Sequence, residues 1–225
     1  MLNQGAYAPR SPLQAVENKV LNQGANAPRS PLTEEINMDR HWLLSSTTYG
    51  TWLSGDRRGF VSNVDDGSEK EVRHNGVGEP IDADMPGLES YARQTLIGGP
   101  IRLTPEQAAA VLAQFRETAA YRGWSLLSAA VMANHFHIVV GVPGDPDPAD
   151  LLRDFKSYAS RTLNRRWPKP PGGTWWTESG SRRKKTGEEV IRVAVEYVHK
   201  QPYALAVWTA EPYLSALGER GASAP

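Results

Sequence analysis

Short stretches with a strand-like pattern alternate along the chain with longer stretches that have helical spacing. Residues 40–53 (RHWLLSSTTYGTWL) are rich in β-branched and aromatic side chains and precede a Gly-Asp turn, which predicts a first strand. Residues 124–132 predict a second strand, which returns through Ala133 and Asn134 into a third. After a proline- and glycine-rich break, residues 174–178 (TWWTE) predict a fourth strand.

Helix-start sequences precede three stretches with helical periodicity. Residues 104–107 (TPEQ) combine a capping box with proline at the first helical position and predict a helix to about Arg122. Residues 147–148 (DP) predict the cap of a second helix, and residues 186–189 (TGEE) predict a capping box and a last helix that reaches Gln201, where the next residue is proline. This alternation predicts an α+β, ferredoxin-like antiparallel sheet with helices on one face and an additional C-terminal helix.

The N-terminal residues do not fit this pattern. Residues 2–13 (LNQGAYAPRSPL) recur as residues 21–32 with one difference, Tyr7 against Asn26. A tract rich in Pro, Gly, Asn and Gln has too few large apolar residues to form a core, so residues 1–37 are expected to be disordered. Met38 is then a candidate natural start.

One domain is expected after this tract, because 225 residues suffice for a single core. We assign it to residues 38–210, with a polar, acidic insertion at about 56–100 and a C-terminal tail at 211–225. The formal net charge is zero, but residues 62–90 hold eight acidic and two basic side chains, whereas residues 151–186 hold ten basic and two acidic. The basic segment favours a nucleic-acid partner that binds one local surface.

Composition also excludes several kinds of site. The chain has no cysteine, which excludes disulfides, thiolate metal sites and cysteine nucleophiles. No apolar run is long enough to span a bilayer, and the N-terminus does not have the pattern of a secretory signal. A soluble protein of the cytoplasm, with no membrane partner, is therefore expected.

The third predicted strand carries two histidines, His135 and His137, separated by one residue. Side chains alternate between the faces of a strand, so the two imidazoles lie on one face and Phe136 on the other. Neutral imidazole is a common metal ligand, and this pair suits a divalent cation. The alternative is that the two histidines belong to a half-exposed sheet face and bind no metal.

The last predicted helix brings Tyr197 and Gln201 to one face, since residues four apart are neighbours on a helix. If that face meets the histidine strand, Gln201 can complete a three-ligand metal site and Tyr197 can lie beside it. The alternative is that Tyr197 packs at the core edge and Gln201 is only a helix end. Tyr158, in the preceding helix, is a rival nucleophile that we interpret as a packing or DNA-contacting residue.

These residues resemble the single-tyrosine HUH transposases, which have an IS200-like transposase domain, and in particular the REP-associated tyrosine transposases. The resemblance rests on residues 135–137 (HFH) in one strand, residues 175–176 (WW) in the next, and residues 196–202 (EYVHKQP) in the last helix. Residues 47–53 (TTYGTWL) and 154–158 (DFKSY) are similar to a bacterial branch of that family. The duplicated N-terminus and the acidic insertion are not part of the family's small core.

The resemblance implies a DNA strand-transfer reaction on single-stranded or hairpin DNA, such as a palindromic repeat, by a monomer or homodimer. Mg²⁺ or Mn²⁺ bound by His135, His137 and Gln201 would polarise a phosphate, and Tyr197 would attack it. The product would be a 5′-phosphotyrosine link and a free 3′-hydroxyl. The alternatives are a catalytically inactive DNA-hairpin-binding protein retained for regulation and a metal-dependent hydrolase that uses a bound water.

Substrate binding is expected from basic side chains, with Trp167, Trp175 and Trp176 as candidates for stacking on unpaired bases. A solvated charged face and core tryptophans are the alternative. The predicted DNA-binding residues are Arg153, Lys156, Arg161, Arg165, Arg166, Arg182, Arg183, Lys184 and Lys185.

Overall fold

The computed structural model describes residues 40–57, 62–64, 72–74 and 85–221. The duplicated tract predicted to be disordered therefore lies outside the described residues, as do residues 222–225 of the predicted tail. The elements, in chain order, are β1 (Arg40–Thr47), β2 (Ser62–Val64), β3 (Val72–His74), α1 (Pro86–Gln94), α2 (Pro105–Arg122), β4 (Ser125–Val131), β5 (His135–Val142), α3 (Pro148–Arg166), β6 (Ser181–Lys185), α4 (Glu188–His199), β7 (Ala206–Thr209) and α5 (Glu211–Gly221).

Five strands form one antiparallel sheet in the order β6-β1-β5-β4-β7. The first four have the order of a ferredoxin-like sheet, and β7 adds a fifth strand beside β4. The predicted α+β class is confirmed. In the described part of the chain, no helix is long and apolar enough to cross a membrane.

Helices cover both faces of this sheet. Helices α2 and α3 pack on one face, where Phe115 contacts Phe136 and Phe155 edge-on at 4.9 and 5.5 Å between ring centroids. Helix α4 packs on the other face through a smaller cluster that includes Val195 and Val198. The histidine strand β5 is central, so each face of it meets a different helix layer.

The local signals for α2 and α3 are confirmed. Thr104 Oγ1 accepts from the backbone N–H of Gln107, and Gln107 Oε1 accepts from the N–H of Thr104, so the predicted capping box is complete. Asp147 Oδ1 accepts from the backbone N–H of Ala149 at 2.8 Å and caps α3. Gly123 ends α2 in the left-handed conformation, at φ 68°.

Three predictions near the C-terminus are wrong. Residues 174–178 make only an isolated bridge, Thr48 to Trp176, and the strand beside β1 is β6, which consists of the basic residues 181–185. An edge strand accommodates such charges because its outer edge and faces reach water. Helix α4 has Gly187 as its N-cap without a side-chain cap, and it ends at His199, so Gln201 lies beyond it.

The predicted insertion contains the β2-β3 hairpin and helix α1 within its described residues. Helix α1 packs closely on the loop after β1, where Met85 N–H donates to Gly55 O at 3.0 Å. Gly55 has φ +92°, and a Cβ there would lie 2.4 Å from the backbone nitrogen of Glu89. Glycine is therefore required for the close approach of this loop to α1.

Candidate active site

The two histidines lie side by side on the α4 face of the sheet. His135 pairs with Thr47 and His137 with Ser45 across the β1-β5 ladder, and Phe136 between them is fully buried against the α2 and α3 layer. The imidazole centroids are 5.0 Å apart. The predicted alternation of this strand is confirmed, and it leaves both rings half-buried on one face.

Neighbouring side chains orient both imidazoles. His135 Nδ1 is 2.8 Å from Asn134 Oδ1; because an amide oxygen only accepts, Nδ1 carries the hydrogen and Nε2 carries the lone pair. His137 Nδ1 is 2.5 Å from Ser45 Oγ on the adjacent strand. Each ring thus presents Nε2 on the side away from its orienting partner, which is the arrangement that metal-binding histidines use.

Burial and charge keep His137 neutral. Its pKa is lowered from 6.5 to about 4, first by burial and then by the nearby His135 and Arg183. A neutral imidazole at pH 7 is the form that binds a metal ion. Arg183 of β6 is on the histidine face, because it pairs with Leu43, which packs under α4.

Helix α4 places Tyr197 next to the histidines. Its apolar side packs on the sheet through buried residues such as Ala194 and Val198, and this leaves Tyr197 at the histidine end with half of its surface exposed. The Tyr197 ring centroid is 5.5 Å from that of His137, in an edge-on arrangement. A phenol that is both accessible and adjacent to the imidazole pair is placed to react with a bound ligand.

Gln201 follows the end of α4. Its Nε2 donates to the backbone carbonyl of Tyr197 at 3.1 Å. The amide oxygen, Oε1, is therefore the Gln201 atom that can act as a metal ligand. Among the described residues no group of three or more His, Cys, Asp or Glu side chains could hold a metal ion. A metal site made of His135, His137 and the Gln201 amide therefore stays a prediction.

Tyr158 lies on the opposite side of the sheet. It belongs to α3, its ring is 6.3 Å from that of Tyr121, and the Arg161 guanidinium lies 5.1 Å from its ring centroid. These contacts are those of a packed surface tyrosine. Of the two candidate nucleophiles, only Tyr197 contacts a histidine of the pair.

A cavity of about 280 Å³ opens at the histidines. Residues 45–47 of β1 form one side of it, and the segment 177–180 forms another. Thr177 fixes that segment to β1, because its N–H donates to Thr47 O at 3.0 Å and its hydroxyl is 2.9 Å from Thr47 Oγ1. The cavity is lined by Ser45, Ser46, Thr47, Trp52, Leu53, Ser54, His135, His137, Thr177, Ser179, Gly180 and Ser181.

The predicted DNA-binding residues are distributed over several surfaces. Residues directly opposite each other in an antiparallel pair share a face, and Arg183 pairs with Leu43, which packs under α4, whereas Arg182 pairs with Leu44, which packs under α2 and α3. Lys185, opposite His41, shares the histidine face with Arg183, and Lys184 shares the other face with Arg182.

The basic residues of α3 are also separated from one another. Arg153 and Lys156 line a cavity near the histidines, whereas Arg165 and Arg166 line a different cavity, against α2, about 14 to 20 Å further along the helix at about 1.5 Å per residue. Arg161 packs on Tyr158. These positions divide the basic segment into at least two surfaces.

Lys156 has an unusual environment for a lysine. Its ammonium donates to the backbone carbonyls of Thr177, Glu178 and Ser179, the last two at 2.8 and 3.3 Å. Burial lowers its pKa from 10.5 to about 8, against the opposing effect of the Glu178 carboxylate. Lys156 is therefore protonated at neutral pH, and its three protons are directed at the wall of the histidine cavity.

Two of the predicted stacking tryptophans are in the core. Trp175 and Trp176 are 5% and 2% exposed, and their indole nitrogens donate to α3, to Asn164 Oδ1 and Ser160 Oγ. The prediction that they stack on bases is wrong, and the alternative of core tryptophans applies to them. Trp52 is the residue that sequence reasoning missed: it is 42% exposed and lines the histidine cavity.

The geometry can be compared with known proteins. Residues 101–201 match the family model described as Transposase IS200 like. The matched segment makes up 101 of the 225 residues, and over this segment the chain is similar to IS200-like transposases. The resemblance found in the sequence is confirmed at this level, and the matched segment contains His135, His137, Tyr197 and Gln201.

Two solved structures are similar to the chain. One is a REP-associated tyrosine transposase bound to a REP hairpin, with 11% identity over 73% of this chain and 75% of that chain and a TM-score of 0.40. The other is a protein from Deinococcus radiodurans R1 named as a candidate transposase, with 16% identity over 80% of this chain and 98% of that chain and a TM-score of 0.36. No curated protein matches the chain.

Proposed function

We propose that this protein cleaves and rejoins single-stranded or hairpin DNA, with Tyr197 as the nucleophile. One observation carries the proposal: the Tyr197 ring lies 5.5 Å from His137, across an interface between elements that are sixty residues apart in the chain. A half-exposed phenol beside two oriented imidazoles that line a cavity suits attack on a phosphodiester.

The residues at the site fit a divalent cation, Mg²⁺ or Mn²⁺. His135 and His137 would bind it through Nε2, since Nδ1 of each ring is directed at a protein oxygen, and Gln201 would offer its amide oxygen. Such a cation would polarise a DNA phosphate and offset the negative charge that develops on its oxygens. Nitrogen ligands are modest for Mg²⁺, so Mn²⁺ is expected to support activity better in vitro.

The chain's own residues would carry the transfer. The phenol oxygen of Tyr197 forms a bond to phosphorus while the bond from phosphorus to the 3′-oxygen breaks. The phenol proton passes to solvent, and the departing 3′-oxygen takes up a proton from solvent. The products are a 5′-phosphotyrosine link and a DNA end with a free 3′-hydroxyl. Rejoining reverses this exchange and needs no ATP, because the ester bond is conserved. Arg183, on the histidine face, would hold the phosphate by charge.

A covalent-adduct assay tests the proposal. A labelled hairpin oligonucleotide with a single-stranded flank is incubated with the protein and Mn²⁺, and the denatured products are separated by gel electrophoresis. We expect an adduct in the wild type and in Tyr158→Phe, the matched control, and none in Tyr197→Phe. An adduct that persists in Tyr197→Phe and disappears in Tyr158→Phe would contradict the assignment.

The same assay separates the two alternative functions. Salt-sensitive hairpin binding by the wild type without any adduct indicates a catalytically inactive DNA-binding protein. Turnover to free DNA ends that is unchanged in Tyr197→Phe indicates a hydrolase that uses a bound water.

A further inference from the structure

Residues 177–180, which we call the wall segment, form one side of the histidine cavity and belong to no helix or strand. They follow the isolated bridge at Trp176 and end where β6 begins, at Ser181. Strand β6 carries Arg183 on the histidine face. The backbone shape of the wall segment therefore sets the outline of the cavity and the start of the strand that supplies this cation.

One side chain of α3 binds three consecutive carbonyls of the wall segment. The Lys156 ammonium donates to the carbonyl oxygen of Thr177, to that of Glu178 at 2.8 Å and to that of Ser179 at 3.3 Å. Successive carbonyls of an extended strand point to opposite edges, so three that converge on one atom need a different backbone shape. Their dipoles repel one another in that shape, and an ammonium with three protons offsets the repulsion.

Strand β1 fixes the wall segment from the other side. Ser46 Oγ donates to Ser179 O at 3.2 Å, so this carbonyl accepts from both Ser46 and Lys156. A Cβ added at Gly180 would meet Ser45 O, and the Ser45 hydroxyl in turn contacts the histidine pair. The wall segment thus lies directly between α3 and the strand that orients a histidine.

The charged and titratable groups around Lys156 come from four elements. They line a cavity of about 820 Å³ beside the histidine cavity and are Tyr49 of the loop after β1, Arg153 of α3, Glu178 of the wall segment and Arg182 of β6. Burial lowers the pKa of Lys156 from 10.5 to about 8, against the effect of the Glu178 carboxylate. The protons of the ammonium are occupied by backbone carbonyls, whereas the side chain of Arg153, one turn earlier, is 69% exposed.

We propose that Lys156 is a positioning residue for the transfer reaction, which holds the wall segment in the shape that forms the histidine cavity and does not bind a DNA phosphate. This inference rests on the proposed DNA-cleaving function. It assigns to that function a residue that contacts neither the DNA nor the reacting atoms, in place of the phosphate contact expected from the sequence.

Single-turnover adduct formation with Mn²⁺ separates positioning from phosphate binding. Methionine keeps an unbranched side chain but removes the ammonium, so Lys156→Met is expected to lower the rate at saturating hairpin about tenfold. The slope of log affinity against log salt should stay that of the wild type, because no phosphate contact is lost. Arg116→Met, which removes an exposed cation of α2, is the control and should keep the rate within twofold. A slope lowered by about one, with a saturating rate within twofold, would overturn the proposal.

The pH dependence identifies the ammonium as the group responsible. It is present below the lowered pKa of Lys156 and lost above it, so the ratio of the wild-type rate to the Lys156→Met rate should fall from about tenfold at pH 7 to about twofold at pH 9. Titration of Tyr197 and of any bound metal affects both proteins and cancels in the ratio. A ratio that stays constant between these pH values would indicate a purely structural role for the side chain and would overturn the proposal.

A measurement on the wild type does not depend on the folding of a variant. The carbonyl ¹³C resonances of residues 177–179 are followed by NMR from pH 6 to pH 10 in EDTA. We expect all three to titrate together with a midpoint near pH 8, since one ammonium serves all three. The absence of a common titration would overturn the contact.

The outcomes distinguish this inference from the proposed function. If the three carbonyls titrate together but the wild type forms no adduct, the hold of Lys156 on the wall segment is supported and the cleavage function is refuted. If the wild type forms a Tyr197-dependent adduct and Lys156→Met forms it at the same rate, the function is supported and the positioning role is refuted.

Discussion

His137 makes the stability of the fold depend on pH. Its pKa is lowered to about 4 in the folded protein, from 6.5. Between these values the unfolded chain binds a proton that the folded protein does not, so the stabilisation is complete above pH 6.5 and is lost as the pH falls toward 4. At about 1.4 kcal/mol per pKa unit the full effect is about 3 kcal/mol, of which about 2 kcal/mol is lost between pH 7 and pH 5.

Urea unfolding at pH 7 and pH 5 measures this effect. EDTA is included so that no bound cation holds the imidazole neutral. We expect the wild type to lose about 2 kcal/mol more than His137→Gln between the two pH values, because glutamine does not titrate and the other groups are common to both proteins. If both proteins lose the same free energy of unfolding, then burial and the neighbouring charges do not keep His137 neutral, and the argument for a metal-competent imidazole fails.

Three further predictions follow from particular contacts. Arg183→Ala should lower the rate of adduct formation with Mn²⁺ at least tenfold, because it removes a cation from the histidine face. The rate for Lys184→Ala, whose side chain is on the other face, should stay within twofold of the wild-type rate. Equal losses in the two variants would contradict the assignment of faces. Gly180→Ala should destabilise the protein by about 1–3 kcal/mol in thermal unfolding, since its Cβ would meet Ser45 O; an unchanged midpoint would show that β1 and the segment separate freely. Thr104→Ala should cost about 1 kcal/mol in urea unfolding through loss of the cap, whereas Thr104→Ser should not, and equal losses would refute the capping role.

Features that depend on neighbours in the sequence were predictable. The caps of α2 and α3, the hairpin of β4 and β5 and the placement of His135 and His137 on one face follow from interactions within a few residues, and all are confirmed. Asn134, which orients His135, is its immediate neighbour and could have been recognised from the sequence. The α4 cap failed because Gly187, not Thr186, begins that helix.

Strand choice at the sheet edge could not be predicted. The aromatic residues 174–178 have the higher strand propensity, yet the basic residues 181–185 pair with β1. Trp175 and Trp176 instead bury their rings against α3, where their indole nitrogens find acceptors, and this burial outweighs local propensity. The chain then reaches β1 only with the following residues, whose charges remain in water at the edge.

Periods of two and of 3.6 residues were enough to predict most of the local elements, the histidine pair and the candidate tyrosine. Which of these elements contact one another depends on packing between distant parts of the chain. Ser45 contacts His137 across 92 positions of sequence, and Thr47 contacts Thr177 across 130. Such contacts arise when two apolar faces pack together, here those of α4 and of the histidine side of the sheet, and this packing brings Tyr197 to His137. Local periodicity carries no information on that choice, since it specifies which face is apolar and not what covers it.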